Sequence, residues 1–186
     1  MTVYFNPACS DEEVARVSPV AMADASRFEA IPTRRRLVPR GFLPDRLVPY
    51  QYRPFDTRWI YWEPDTKLLH EKRSDYWATA QSKTPQFVMA QKQRRGYDPP
   101  VVTTSPVAFH LLERGAIAFP VRRTADDSGL LSGSSELNLS DRATTYLERL
   151  GTASDDSVFW HTVAILHCSK YFQDNEGAIG QDWPRL

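Results

Sequence analysis

The chain has 186 residues, of which 41% are hydrophobic, and its formal net charge is zero. This size and apolar content suit one compact domain or a small pair of subdomains. No uncharged apolar stretch approaches the roughly 20 residues that cross a bilayer, and the first residues lack the pattern of a secretion signal, so we expect a cytoplasmic protein with no membrane partner.

The first third of the chain predicts short helices followed by extended backbone. Ser10 and Glu13 have the spacing of a capping box, which predicts a helix that ends before Pro19. A second helix is expected over residues 21–30. Prolines then recur at positions 32, 39, 44, 49 and 54, which disfavours a long helix and predicts an extended, basic connector. The aromatic segment "RWIYWEP", residues 58–64, is typical of a β-strand.

The remainder predicts short strands and two further helices. Residues 75–92 are compatible with a helix divided by Pro85. Segments 99–112 and 115–123 are rich in β-branched residues and predict two strands. Residues 141–150 predict a helix that ends at Gly151, and residues 156–172 predict a buried helix. We therefore expect an α+β fold in one domain: a helical lead-in and basic connector over 1–47, then a core over 48–186 with a twisted, mostly antiparallel sheet and a buried C-terminal helix.

Charge is strongly segregated along the chain. Residues 34–95 contain fourteen lysines and arginines against six acids, whereas residues 126–186 contain four against ten. A basic segment can attract phosphates even in a neutral protein. The alternative is a solvated surface that acids balance nearby in space.

Clustered arginines and lysines are the candidate functional residues. The planar guanidinium fork pairs with phosphate or with the edge of guanine. The candidates for DNA binding are Arg34, Arg35, Arg36, Arg40, Arg53, Arg58, Lys83, Lys92, Arg94, Arg95, Arg122 and Arg123. A structural alternative is that Arg53 and Arg58 pair with Asp56 or other acids.

The sequence predicts no catalytic, metal or cofactor site. "YDPPV", residues 97–101, has the spacing of the Asp-Pro-Pro-aromatic motif that grips a flipped base, but Val101 replaces the ring. His161 and His167 lie six residues apart, which does not suit a helical metal site. Cys9 and Cys168 predict neither a disulfide framework nor a zinc site. A small enzyme built from scattered residues such as His110, Glu113 and Asp126 stays open, as does a module that docks on an acidic protein surface.

Three segments carry a family resemblance. "YRPFDTRWIYW", residues 52–62, resembles a motif of the C-terminal target recognition domain of type ISP restriction-modification enzymes and related large DNA adenine methyltransferases. "GAIAFPVRR", residues 115–123, resembles a Phe-Pro-Leu-Tyr strand of that family, and residues 159–186 are similar to its closing segment. The opening "PACSDEEVARVSP" is also similar, whereas residues 65–112 carry no matching signature.

The resemblance implies a module for recognising duplex DNA that is not itself an enzyme. AdoMet and the methylation chemistry would belong to a methyltransferase domain upstream in the same polypeptide. On this view Phe55, Trp59 and Tyr61 form a scaffold core. Pro54 and Asp56 would fix a turn that directs Arg53 and Arg58 toward DNA or the catalytic domain.

Overall fold

The structure is a computed structural model that describes residues 2–25, 27–69, 73–91, 96–112, 115–124, 135–151 and 156–185. Its α-helices are α1 (Thr2–Phe5), α2 (Asp11–Val17), α3 (Ala30–Leu37), α4 (Ser74–Gln81), α5 (Asp141–Leu150), α6 (Ser157–Leu166) and α7 (Ser169–Ile179). Short 3-10 turns span Pro19–Met22, Val38–Arg40 and Pro44–Arg46. The strands are β1 (Leu47–Arg53), β2 (Asp56–Tyr61), β3 (Gln86–Ala90), β4 (Val101–Thr103), β5 (Ala116–Pro120), β6 (Arg122–Thr124) and β7 (Ser135–Leu137).

The strands form three small sheets. β1 pairs with β2, β3 lies between β4 and β5, and β6 pairs with β7. The pairs that β3 makes with β4 and β5 are antiparallel, as is the β6–β7 pair. The predicted α+β class with short antiparallel strands is therefore confirmed.

The chain divides into two compact units. The first comprises Met1–Val48 and Trp59–Ser74, and the second comprises Pro49–Arg58 and Asp75–Leu186. Each unit has its own buried apolar cluster. No helix within the described ranges has both the length and the apolar character needed to cross a membrane.

The first unit is built on the capped helix α2. The Ser10 amide donates to the Glu13 carboxylate at 2.7 Å, and the Glu13 amide donates to the Ser10 hydroxyl at 3.2 Å. The predicted capping box is thus confirmed. Val14 on this helix is buried with Tyr4, Phe5, Leu37 and Tyr61 in one hydrophobic cluster.

Helix α3 corrects two predictions in the first unit. The helix expected over residues 21–30 is wrong, because an isolated bridge joins Ala25 and Phe28 and the helix begins at Ala30. The extended connector is wrong over the same helix, which includes Pro32. Pro32 lies in the first turn of α3, where a backbone N–H has no partner within the helix, so proline is tolerated there.

The second unit contains the three-stranded sheet. Its central strand β3 occupies the second half of the segment expected to be helical, so that prediction is wrong beyond α4. The segment "QFVMA" follows Pro85 and pairs on both sides, with Phe87 opposite Phe119 at a ring separation of 4.9 Å. Val88, Leu111 and Ala116 form its buried cluster. The two strands expected over 99–112 and 115–123 are confirmed only in part. In the first segment only β4 (Val101–Thr103) is a strand, and the second is divided into β5 and β6, which belong to different sheets.

The C-terminal region is divided more finely than the sequence suggests. Helix α5 is confirmed, with Gly151 in the left-handed conformation at φ +62° just past its end. The single helix expected over 156–172 is two helices, α6 and α7, that break at His167 and Cys168. Phe159 and Leu166 are buried, but Trp160 is 46% exposed, so α6 buries only part of its apolar surface.

Candidate nucleic-acid interface

The β1–β2 hairpin places an aromatic ring in solvent at its turn. Pro54 and Phe55 are the two residues between the strands. Phe55 has φ +64°, in the left-handed region, and its relative exposure is 104%. A side chain other than glycine is uncommon in this conformation.

The expected aromatic core holds for one ring of three. Tyr61 is buried and packs 5.0 Å from Phe5, as predicted. Phe55 and Trp59 are not core residues, since Trp59 is 67% exposed. Residues 57–59 of β2 are all exposed and only Tyr61 is buried. Alternation along a strand predicts burial only where another layer covers its face. Among the described residues, only the end of β2 at Tyr61 is covered in this way.

Arg58 lies on the hairpin in a fixed pose. Its Nε and Nη2 groups donate to the Asp56 carboxylate at 2.8–3.2 Å, and its guanidinium lies 3.9 Å from the centre of the Tyr52 ring. The hydrogen bond to Asp56 raises the pKa of Arg58 above its ordinary value. The side chain remains 57% exposed, so Nη1 is available to a phosphate. The alternative in which Arg58 pairs with Asp56 is confirmed.

Arg53 lies on the same hairpin and makes its bonds within the second unit. Its Nη1 donates to the carbonyl oxygens of Tyr52 and His110, and its guanidinium lies 4.7 Å from the Tyr52 ring centre. Gln51 adds two backbone bonds, from its N–H to Pro106 O at 2.8 Å and from the Ala108 N–H to its own carbonyl at 2.9 Å. Because these bonds hold both the strand and the side chain, Arg53 has a structural role in addition to its predicted DNA contact.

Arg34 is committed to the interior of the first unit. It is 6% exposed, and its guanidinium donates to the carbonyl oxygens of Tyr4, Asn6 and Cys9 at 2.8–3.0 Å. Its Nη1 also pairs with Asp11 at 2.6 Å. We therefore leave Arg34 out of the proposed DNA contacts, since binding phosphate would require it to abandon buried acceptors.

Arg40 belongs to an ion-pair network in the first unit. It bonds Asp65 at 2.9 Å and lies 3.6 Å from Glu63. Arg46, which is not among the twelve candidates, donates to the fully buried Glu63 at 2.5 Å. The Asp65 N–H adds a second bond to Glu63, at 2.8 Å. The Arg40 side chain is 44% exposed, but these two acids balance much of its charge.

The remaining candidates differ in their surroundings. Arg35 and Arg36 on α3, Lys83 after α4 and Arg123 on β6 are exposed, whereas Arg122 is half-buried and has a partner. Lys92, Arg94 and Arg95 lie outside the described residues, as do Glu113 and Asp126 of the alternative enzyme site. In the part of the chain that the structure describes, no His, Cys, Asp and Glu side chains cluster as metal ligands.

A family model for the type ISP C-terminal specificity domain matches residues 12–186. The chain belongs to this family. The match extends over the second unit and over the first unit from residue 12. It includes residues 65–112, where the sequence has no recognisable signature.

Two solved structures share the fold of this specificity domain. One is described as a cryoEM structure of a DrdV–DNA complex, with 16% identity and a TM-score of 0.65 over 95% of this chain and 19% of that chain. The other is an ATP-dependent type ISP restriction-modification enzyme, LlaBIII, bound to DNA. It has 13% identity and a TM-score of 0.65 over 93% of this chain and 12% of that chain. The specificity domain thus spans under a fifth of each, and no curated protein sequence matches it.

Proposed function

We propose that this specificity domain recognises a particular sequence in duplex DNA for an AdoMet-dependent adenine methyltransferase. The observation that carries the proposal is the family match over residues 12–186. The structures that share the fold are described as DNA complexes, and the exposed arginines are compatible with the same role. The methyltransferase domain would lie upstream in the same polypeptide and bind AdoMet, so this chain needs no cofactor of its own. The protein would act in the cytoplasm, where the DNA is.

The described cations are suited to hold the DNA backbone. Arg35 and Arg36 expose their guanidiniums on α3 in the first unit, while Lys83 and Arg123 are exposed in the second. Phosphate contacts position a protein on DNA and carry no direct sequence information, whereas contacts to base edges specify. Each phosphate that a cation neutralises releases condensed counterions, so binding should weaken steeply as salt rises.

The test is a selection from a randomised duplex pool, first at low and then at moderate salt, with sequencing of the retained DNA. We expect a common asymmetric motif of several base pairs. Retention without any motif would contradict sequence recognition by this chain, and no retention at low salt would contradict DNA binding and favour docking on a protein.

Variants of the exposed arginines test the backbone contacts. Changing both Arg35 and Arg36 to Gln should reduce the slope of log affinity against log salt by up to about 2, since each phosphate contact contributes about 0.9, without changing the selected motif. Arg142→Gln on α5 removes a charge that is also exposed and is not among the candidates, and it serves as the matched control. An equal effect of all these changes would point to net charge alone.

A further inference from the structure

The ring of Phe55 occupies an unfavourable position on two counts. Its 104% relative exposure leaves the whole ring in water, where burial would be favourable. Its φ of +64° is a conformation that glycine or asparagine adopts more readily. Residues held in such conformations concentrate at functional sites. We therefore expect the ring of Phe55 to contact a binding partner.

The turn presents this ring on a braced element. The Gln51 side chain donates to Arg53 O at 2.7 Å and accepts from the Thr57 hydroxyl at 3.1 Å, which links the two strands beside the turn. Within the second unit, the backbone bonds of Gln51 to Pro106 and Ala108 hold β1 beside residues 106–108. The ring therefore projects from a fixed hairpin.

The charges around the ring favour an anionic partner. Arg53 and Arg58 flank the turn, and Asp56 is the single acid among residues 49–58. Asp56 engages Nε and Nη2 of Arg58, which leaves Nη1 pointing to no described acceptor. Nε and Nη2 of Arg53 likewise have no hydrogen-bond partner among the described residues. Both guanidiniums lie over the Tyr52 ring, 4.7 and 3.9 Å from its centre. An exposed apolar ring on the same hairpin as two guanidiniums complements stacked bases bordered by phosphates.

We propose that Phe55 is a wedge that inserts between adjacent base pairs of the bound duplex while Arg53 and Arg58 contact the flanking phosphates. Apolar side chains that enter a base step partly unstack it and bend the DNA. The inference rests on the proposed function and adds a residue and a mode of contact to it. It also assigns a role to the exposed ring that the sequence placed in the core.

The experiment uses duplexes that carry the selected motif, with 2-aminopurine in place of each adenine in turn, because this base fluoresces more strongly when it is unstacked. We expect the unchanged protein to brighten 2-aminopurine at one step and to leave the others unchanged. Phe55→Ala should abolish that signal and weaken binding about 5- to 140-fold, the range that corresponds to losing one ring stacked on a base.

A second variant separates folding from binding. Phe55→Gly removes the ring and relieves the backbone, so its thermal midpoint should not fall below that of the unchanged protein, yet it should bind as weakly as Phe55→Ala. Tyr146→Ala, which removes a ring that is 56% exposed on α5, is the matched control and should bind normally.

The outcomes distinguish the two proposals. If the unchanged protein selects a motif but both Phe55 variants bind it equally well, or no step brightens, the wedge is wrong while DNA recognition stands. If the unchanged protein retains no DNA at low salt, both proposals are wrong, and the exposed ring would be explained by docking on another protein.

Discussion

Replacing Arg34 with Ala should lower the free energy of unfolding of the first unit. The loss should be larger than for substitutions of the exposed arginines beside it. The substitution removes a guanidinium whose donors reach three backbone carbonyls and the Asp11 carboxylate. Hydrogen bonds from a charged group contribute about 1.5–3 kcal/mol each, but they share one side chain and do not add. Breaking a buried ion pair by removing one partner costs about 3–5 kcal/mol. Since Asp11 keeps 21% side-chain exposure and can regain some hydration, we expect a loss of about 3–4 kcal/mol.

The assay must report on the first unit by itself. Hydrogen exchange of peptides from residues 2–37, followed across a urea series, gives its free energy of opening. Arg34→Lys keeps the charge but lacks the planar fork that serves several acceptors, so it should fall between Ala and the parent. Arg35→Ala changes the adjacent exposed arginine and should stay within about 0.5 kcal/mol. A loss below about 1 kcal/mol for Arg34→Ala would refute the structural role.

Three further predictions concern binding and stability. Arg53→Ala should weaken binding to all DNA sequences by a similar factor in parallel titrations, and a change in the preferred site would contradict this. Burial raises the pKa of Tyr4 from 10.0 to about 12. The folded protein therefore holds this proton more tightly than the unfolded chain does, so the free energy of unfolding should fall as the pH rises from about 10 to 12. Tyr4→Phe should show a shallower fall. If the variant has the same pH profile as the parent, Tyr4 is not the source of the fall. Ser140→Ala removes the side-chain cap that accepts from the Ala143 N–H at 3.3 Å. Thermal melts followed by circular dichroism should show a loss of about 0.5–2 kcal/mol in the free energy of unfolding. An unchanged melting midpoint would show that the cap contributes nothing to stability.

The correct predictions rest on interactions between residues that are close in the sequence. Ser10 and Glu13 form their capping box within one turn, and Gly151 ends α5 at the expected place. The aromatic segment of β2 is a strand because its side chains favour extended backbone. The "YRPFDTRWIYW" segment also identified the family that the match over residues 12–186 shows. Signals of this kind need no knowledge of what lies across the fold.

The wrong predictions depend on position within an element or on the layer that covers it. The repeated prolines predict extended backbone from Pro32 onward, but in the first turn of α3 Pro32 removes no helical hydrogen bond. The pattern of residues 75–92 predicts helix, although pairing on both sides makes residues 86–90 the central strand. The apolar character of Phe55 and Trp59 predicts burial, yet both are exposed, and no element within the described ranges covers that part of the hairpin.

The sequence alone therefore determined the family, the α+β class and the elements with local caps. The tertiary structure decided what each arginine does. Arg34, Arg35 and Arg36 are identical neighbours in the sequence, and successive residues of a helix point about 100° apart, so one of them faces the interior while two face solvent. The acceptors of Arg34 lie 23–30 residues away along the chain. Only folding brings those groups together, because burial is a relation between distant segments and not a property of the residue that is buried.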